Sequence, residues 1–105
     1  MREPTAHADS FGDLALVGDG HVMQVRGELV VLPEAEMQLV ASLVRAQGRV
    51  VRRAVLEVKA WGIWASVAPE ALGRAVQRVR AELALLGSNV RISGSEDTGF
   101  ALAQA

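Results

Sequence analysis

The chain has 105 residues, half of them apolar, no cysteine, and a formal net charge of −1 from eleven basic and twelve acidic side chains. That length supports one compact domain rather than two, and the missing cysteines exclude disulfide frameworks, thiolate metal sites and thiol nucleophiles. No stretch approaches the roughly 18 uncharged apolar residues of a membrane span, and the polar start lacks a signal-peptide core, so the expectation is a cytoplasmic protein with no membrane partner.

In chain order, Met1 to Ser10 reads as a flexible tail and residues 11–105 as a single domain. From Phe11 to Val31, short β-branched runs are punctuated by Gly18-Asp19-Gly20 and Arg26-Gly27, the pattern of a small antiparallel sheet closed by tight turns. At Pro33 the period changes. Met37, Val40, Leu43 and Val44 fall at helical spacing, Pro33 suits a first turn and Gly48 a stop, which predicts a helix over Glu34 to Ala46. Val50-Val51 is a short extended stretch, Arg53 to Ala60 a second helix, and Pro69 opens a third helix running to Leu86. In that third helix Leu72, Val76, Val79, Leu83 and Leu86 lie within about 40° of one direction, forming one buried stripe. Arg74, Gln77, Arg78 and Glu70 fall on the opposite side, with Arg80 on a flank. Val90 to Ile92 and Phe100 to Leu102 flank the polar, Gly-bearing segment Ser93 to Gly99 and read as a closing β-hairpin. The resulting class is α+β: an antiparallel sheet, a helix-turn-helix within three helices, and a C-terminal hairpin.

The near-zero net charge conceals an uneven distribution. Residues 1–44 total −5, residues 45–80 total +6, and residues 81–105 total −2. The positive third coincides with the second and third helices, where it creates a local potential that a net count does not report. Solvated arginines paired to nearby acids are the alternative.

Enzyme chemistry finds little support, and no cofactor is expected. His7 and His21 have no ligand-spaced partner, so no metal site is predicted. Gly18-Asp19-Gly20 is a turn with no Gly-Lys-Ser/Thr to make it a phosphate loop, and Ser88, Ser93 and Ser95 lack an adjacent base. Trp61 is read as core. Ile63, Trp64 and Val67 either fold back on the core or form an exposed protein-contact patch.

Taken together, Leu32-Pro33-Glu34-Ala35-Glu36-Met37, the run Gly48-Arg49-Val50-Val51-Arg52-Arg53-Ala54-Val55-Leu56, Trp61-Gly62, the series Leu72, Val76, Arg78, Val79, Arg80, Leu83, and Thr98-Gly99-Phe100 resemble the winged-helix effector domain of OmpR/PhoB-type bacterial response regulators. The resemblance runs from about Phe11 to Leu102, without gaps between Leu32 and Leu83. It implies a sequence-specific regulator of transcription that reads double-stranded DNA with the helix 69–86 in the major groove. It also implies that Arg78 and Arg80 contact DNA, that Gln77 and Arg74 lie on or near the reading face, and that Arg53 and Trp61 sit near the backbone. Such domains also imply contact with RNA polymerase and a homodimer on DNA. The length leaves no room in this chain for the phosphate-accepting receiver domain such regulators usually carry, so the expectation is an effector domain alone, either a piece of a longer regulator or an orphan.

Several positions depart from the family pattern. Glu70 replaces an arginine near the start of the third helix, Gly73 and Ala75 replace an Asp and a His, and Glu96-Asp97 occupy a wing that usually carries an arginine. Carboxylates facing phosphates weaken binding. Glu70 is also placed to pair with Arg74 one turn on, which complements the helix start. The alternative function is therefore a protein-interaction module on the same fold, binding RNA polymerase or another regulator through residues 61–69.

Overall fold

The computed structural model describes residues 9–105. Residues 1–8, which hold His7 and most of the expected tail, lie outside the described part. Strands β1 (Ser10–Phe11), β2 (Leu14–Val17), β3 (Val22–Val25) and β4 (Glu28–Val30) form an antiparallel sheet in sequential order. Ser10 already pairs with Ala15, so the sheet begins one residue before the expected start. The β3–β4 connection is a two-residue turn. Arg26 and Gly27 both take positive φ (51° and 88°), the twist that closes a tight hairpin and brings Val25 opposite Glu28.

Helices α1 (Glu34–Arg45), α2 (Arg53–Trp61) and α3 (Ala71–Leu85) follow, and β5 (Val90–Ser95) pairs with β6 (Gly99–Gln104). Each helix falls within two residues of its sequence expectation; α3 starts at Ala71 because Pro69 and Glu70 form a turn rather than its first residues. At the other end, the Ser88 N–H donates to Leu83 O (3.0 Å) and Gly87 takes φ 71°, a left-handed cap that ends the helix and turns the chain into β5. Of the expected stripe, Leu72, Val76, Val79 and Leu83 are buried and Leu86, just past the helix end, is half-buried against the core; Ala75 joins them. There they meet Leu14, Met23 and Val25 of the sheet, Met37, Val40, Leu43 and Val44 of α1, Leu56 of α2, and Ile92, Phe100 and Leu102 of the hairpin.

The hairpin is longer than expected. The composition of Ser93 to Gly99 predicts a loop, yet the ladder continues through Ser95↔Gly99 and leaves only Glu96 to Thr98 unpaired. Two glycines make this possible. A β-carbon on Gly94 would collide with the Gly99 carbonyl oxygen, and one on Gly99 would stand 2.7 Å from Val51 O. The second close approach lets Val51 exchange backbone hydrogen bonds with Phe100 (2.8 and 2.9 Å), so the short extended stretch before α2 closes on the far side of β6. That bridge brings the start of α2 beside the hairpin tip.

Asp13 pins the sheet to the other end of the hairpin. Its carboxylate accepts from Ser88 Oγ (2.6 Å) and from the Asn89 N–H (2.9 Å). Burial works to raise its pKa, but the Ser88 hydroxyl, the Asn89 N–H and the charge of Arg26 outweigh that and hold it below the ordinary carboxylate value.

Candidate functional site

With its apolar stripe turned into the core, α3 presents Arg74, Gln77 and Arg78 to solvent. Arg74 and Gln77 lie one helical turn apart. Beside them Glu70, Gly73, Arg78 and the wing residue Glu96 complete a shallow, open depression. Glu70 stands just before the helix and forms a loose ion pair with Arg74 (3.9 Å), both side chains being more than half exposed. This is the i,i+4 pair read from the sequence, and at such exposure it contributes only tenths of a kcal/mol or about 1 kcal/mol at most. Arg74 therefore keeps the freedom to exchange partners.

The other two arginines of α3 are committed within the fold. Arg78 is 61% exposed, but its Nε donates to Oε2 of Glu36, a carboxylate only 5% exposed on α1. A buried carboxylate needs a counter-charge, so this bond ties α3 to α1. Arg80 donates from Nε and Nη2 to Ile92 O (3.1 and 2.8 Å), and its guanidinium carbon lies 5.9 Å from the centre of the Phe100 ring. It thereby joins the third helix to the wing by a bifurcated hydrogen bond and a cation–π contact. The Glu36 partnership has a sequence signal. Glu36, Leu39, Val40 and Leu43 share one helical face, and a charge on an apolar stripe demands a partner.

Arg53, at the first position of α2, links three segments. It donates to Glu57 Oε2 (3.0 Å) within its helix and to Pro69 O (2.9 Å) in the connection to α3, and it pairs with Glu96 Oε1 (3.1 Å) on the wing. The Glu57 hydrogen bond leads the influences that raise its pKa further. Trp61 ends α2 half-buried against the core. The following connection leaves Trp64 93% and Ile63 70% exposed, while Val67 is intermediate, so the first two do not fold back on the core. Arg52 and Lys59 are exposed and form no ion pair among the described residues. His21 lies exposed in the β2–β3 turn, and among the described residues no group of three His, Asp or Glu is placed to hold a metal. No helix of the described residues is long and apolar enough to cross a membrane.

The sheet, the three-helix core and the closing hairpin define a winged helix, and solved structures share it. The DNA-binding domain of the response regulator AdeR, in complex with an intercistronic region, is 14% identical with a TM-score of 0.77, over 91% of this chain and 99% of that one. The C-terminal DNA-binding domain of RstA from Klebsiella pneumoniae is 24% identical with a TM-score of 0.74, over 95% and 93%. A structure from a family of redox sensors in the streptococci that evolved from two-component response regulators is 17% identical with a TM-score of 0.76; there, 97% of this chain matches 44% of that one. This chain thus spans under half the length of that relative. No curated protein matches the sequence. The model of the family described as "Transcriptional regulatory protein, C terminal" matches residues 27–102, well over half of the chain, and the chain belongs to that family. It is a family of OmpR/PhoB-type regulatory domains, not of enzymes.

Proposed function

We propose that this domain binds double-stranded DNA sequence-specifically as a transcription regulator in the cytoplasm, with α3 in the major groove. One observation carries the reading: Arg74 and Gln77 stand exposed, a turn apart, on the outer face of a helix whose inner face is core. Arginine can donate two hydrogen bonds to guanine O6 and N7, and glutamine can pair with adenine N6 and N7. These two are the base readers. Arg78, half-committed to Glu36, reaches phosphate at most through its remaining Nη donors, and Arg80 orients the wing relative to α3. At the start of α2, Arg52 and Arg53 supply backbone contacts, and Trp61, at the opposite end of the same helix, supplies another. A homodimer on two half-sites belongs to the same reading.

The test is titration of short duplexes carrying a selected motif. Gln77→Ala is expected to cost about 1–3 kcal/mol on the preferred sequence and little on others, whereas Arg52→Gln weakens all sequences alike and lowers the salt slope by about one. Equal losses on all sequences for both variants contradict the assignment of base readers.

A second reading rests on Trp64. An indole 93% exposed beside an isoleucine 70% exposed is an unusual surface in a small domain. Contact with RNA polymerase or another regulator through Ile63, Trp64 and Val67 explains it. A pull-down of polymerase subunits that is lost in Trp64→Ala and kept in Gln77→Ala supports this role; equal capture by both variants contradicts it.

A further inference from the structure

Of the two acids on the wing, Glu96 is engaged rather than idle. Glu96 leaves the hairpin tip with one carboxylate oxygen 3.1 Å from Arg53 Nη1, while its other oxygen lies 2.6 Å from the place a β-carbon on Gly73 would occupy. Any side chain at position 73 would displace it. Arg53 is held for this contact by Glu57 and by the Pro69 carbonyl, so one guanidinium fastens the wing tip to α2 and to the entrance of α3. Its partner lies against the N-terminal half of the helix that carries Arg74 and Gln77.

We propose that the Arg53–Glu96 ion pair is an autoinhibitory latch: in the free domain the wing carboxylate occupies the guanidinium that a DNA phosphate takes when the domain binds. The proposal rests on the reading that the domain binds DNA. Carboxylate and phosphate are recognised by the same donors of arginine, so the two anions compete for one cation. The latch is weak enough to open. Its side chains are 38% and 35% exposed, where an ion pair contributes little and is screened by salt. Glu57 keeps Arg53 oriented when Glu96 leaves, and Gly73 supplies the notch in which the closed state rests. With Glu57 and Glu96 both against it, the latched Arg53 belongs to a cluster of net charge −1, which lowers the counterion release that drives binding; release of Glu96 removes the excess negative charge.

The experiment measures binding of a short random-sequence duplex by fluorescence anisotropy across a salt series. Thermal melts establish that each variant is folded. Removing the charge with Glu96→Gln is expected to tighten binding roughly three- to fivefold at low salt and to steepen the salt slope by about one. Gly73→Ala, which keeps the charge but closes the notch, is expected to shift affinity the same way. In an Arg53→Gln background the gain from Glu96→Gln falls below about twofold, because the competed cation is gone. An equal gain in that background overturns the latch in favour of general charge removal. Unchanged binding in Glu96→Gln, with the wild type binding DNA, overturns the latch and leaves the DNA reading intact. If neither the wild type nor any variant binds the duplex at low salt, the DNA reading falls and the latch with it. Should Gly73→Ala fail to fold, the Glu96 and Arg53 cycle decides alone.

Discussion

Replacing Arg78 with alanine separates the DNA contact that the family resemblance implies from the anchoring role that the structure shows. The residue lies on the exposed face of α3, where a base or phosphate contact is expected, yet it neutralises Glu36, whose side chain is 5% exposed. If the pair ties α1 to α3, Arg78→Ala leaves a carboxylate buried without its counter-charge. Breaking a fully buried pair costs about 3–5 kcal/mol, and the exposure of the arginine side reduces this to about 2 kcal/mol. For a domain of this size that corresponds to a fall in Tm of about 8–16 °C, or about 1 M or more in the urea midpoint with unchanged slope. Glu36→Gln in the same background removes the stranded charge and is expected to restore about 1 kcal/mol or more, a coupling readable by a double-mutant cycle. The assay is urea unfolding of the two single variants, the double variant and the wild type, without DNA. An Arg78→Ala domain as stable as the wild type within about 0.5 kcal/mol would refute the anchoring role and return Arg78 to the free reading face.

Three further outcomes follow from the geometry. Asp13→Asn is expected to lose about 1–2 kcal/mol at neutral pH by weakening the bonds to Ser88 and Asn89. Because the folded-state pKa of Asp13 is lowered, its contribution is complete above the unfolded-state value near pH 4 and is lost as pH falls through the folded-state value, so the two proteins' stabilities should converge in acid; a difference constant down to pH 2 would contradict this. Arg80→Ala is expected to destabilise by about 1–3 kcal/mol by leaving Ile92 O unpaired, with increased amide exchange in β5 as the local sign. Trp64→Ser should leave Tm unchanged within about 2 °C, since the indole contributes little burial in the monomer.

The fold was legible because its elements obey local rules. The Arg26-Gly27 turn, the helical spacing from Met37 to Val44 and the stripe from Leu72 to Leu83 each state a period or a turn that the structure repeats. Composition misled at the wing, where Gly94 and Gly99 look like loop residues but are strand positions at which two backbones approach too closely for a side chain. The site was less legible. Helical-wheel arithmetic put Arg74, Gln77 and Arg78 on the outer face, but it gives direction without partners. Whether an arginine is free depends on acids and carbonyls distant in sequence: Glu36 for Arg78, Ile92 O for Arg80, Glu96 for Arg53. The +6 charge of the middle third is therefore spent partly inside the domain. Glu70 with Arg74 was readable beforehand because that pair is one helical turn long.

Selection from a random duplex library at low salt, run in parallel with the wild type and Gln77→Ala, addresses the central claim most directly. The wild type is expected to return a defined motif, and Gln77→Ala to return the same motif with one position relaxed, since a residue that reads one base pair leaves the rest of the site unchanged. Failure of the wild type to enrich any motif, or an identical motif from the variant, would contradict sequence reading by the exposed face of α3.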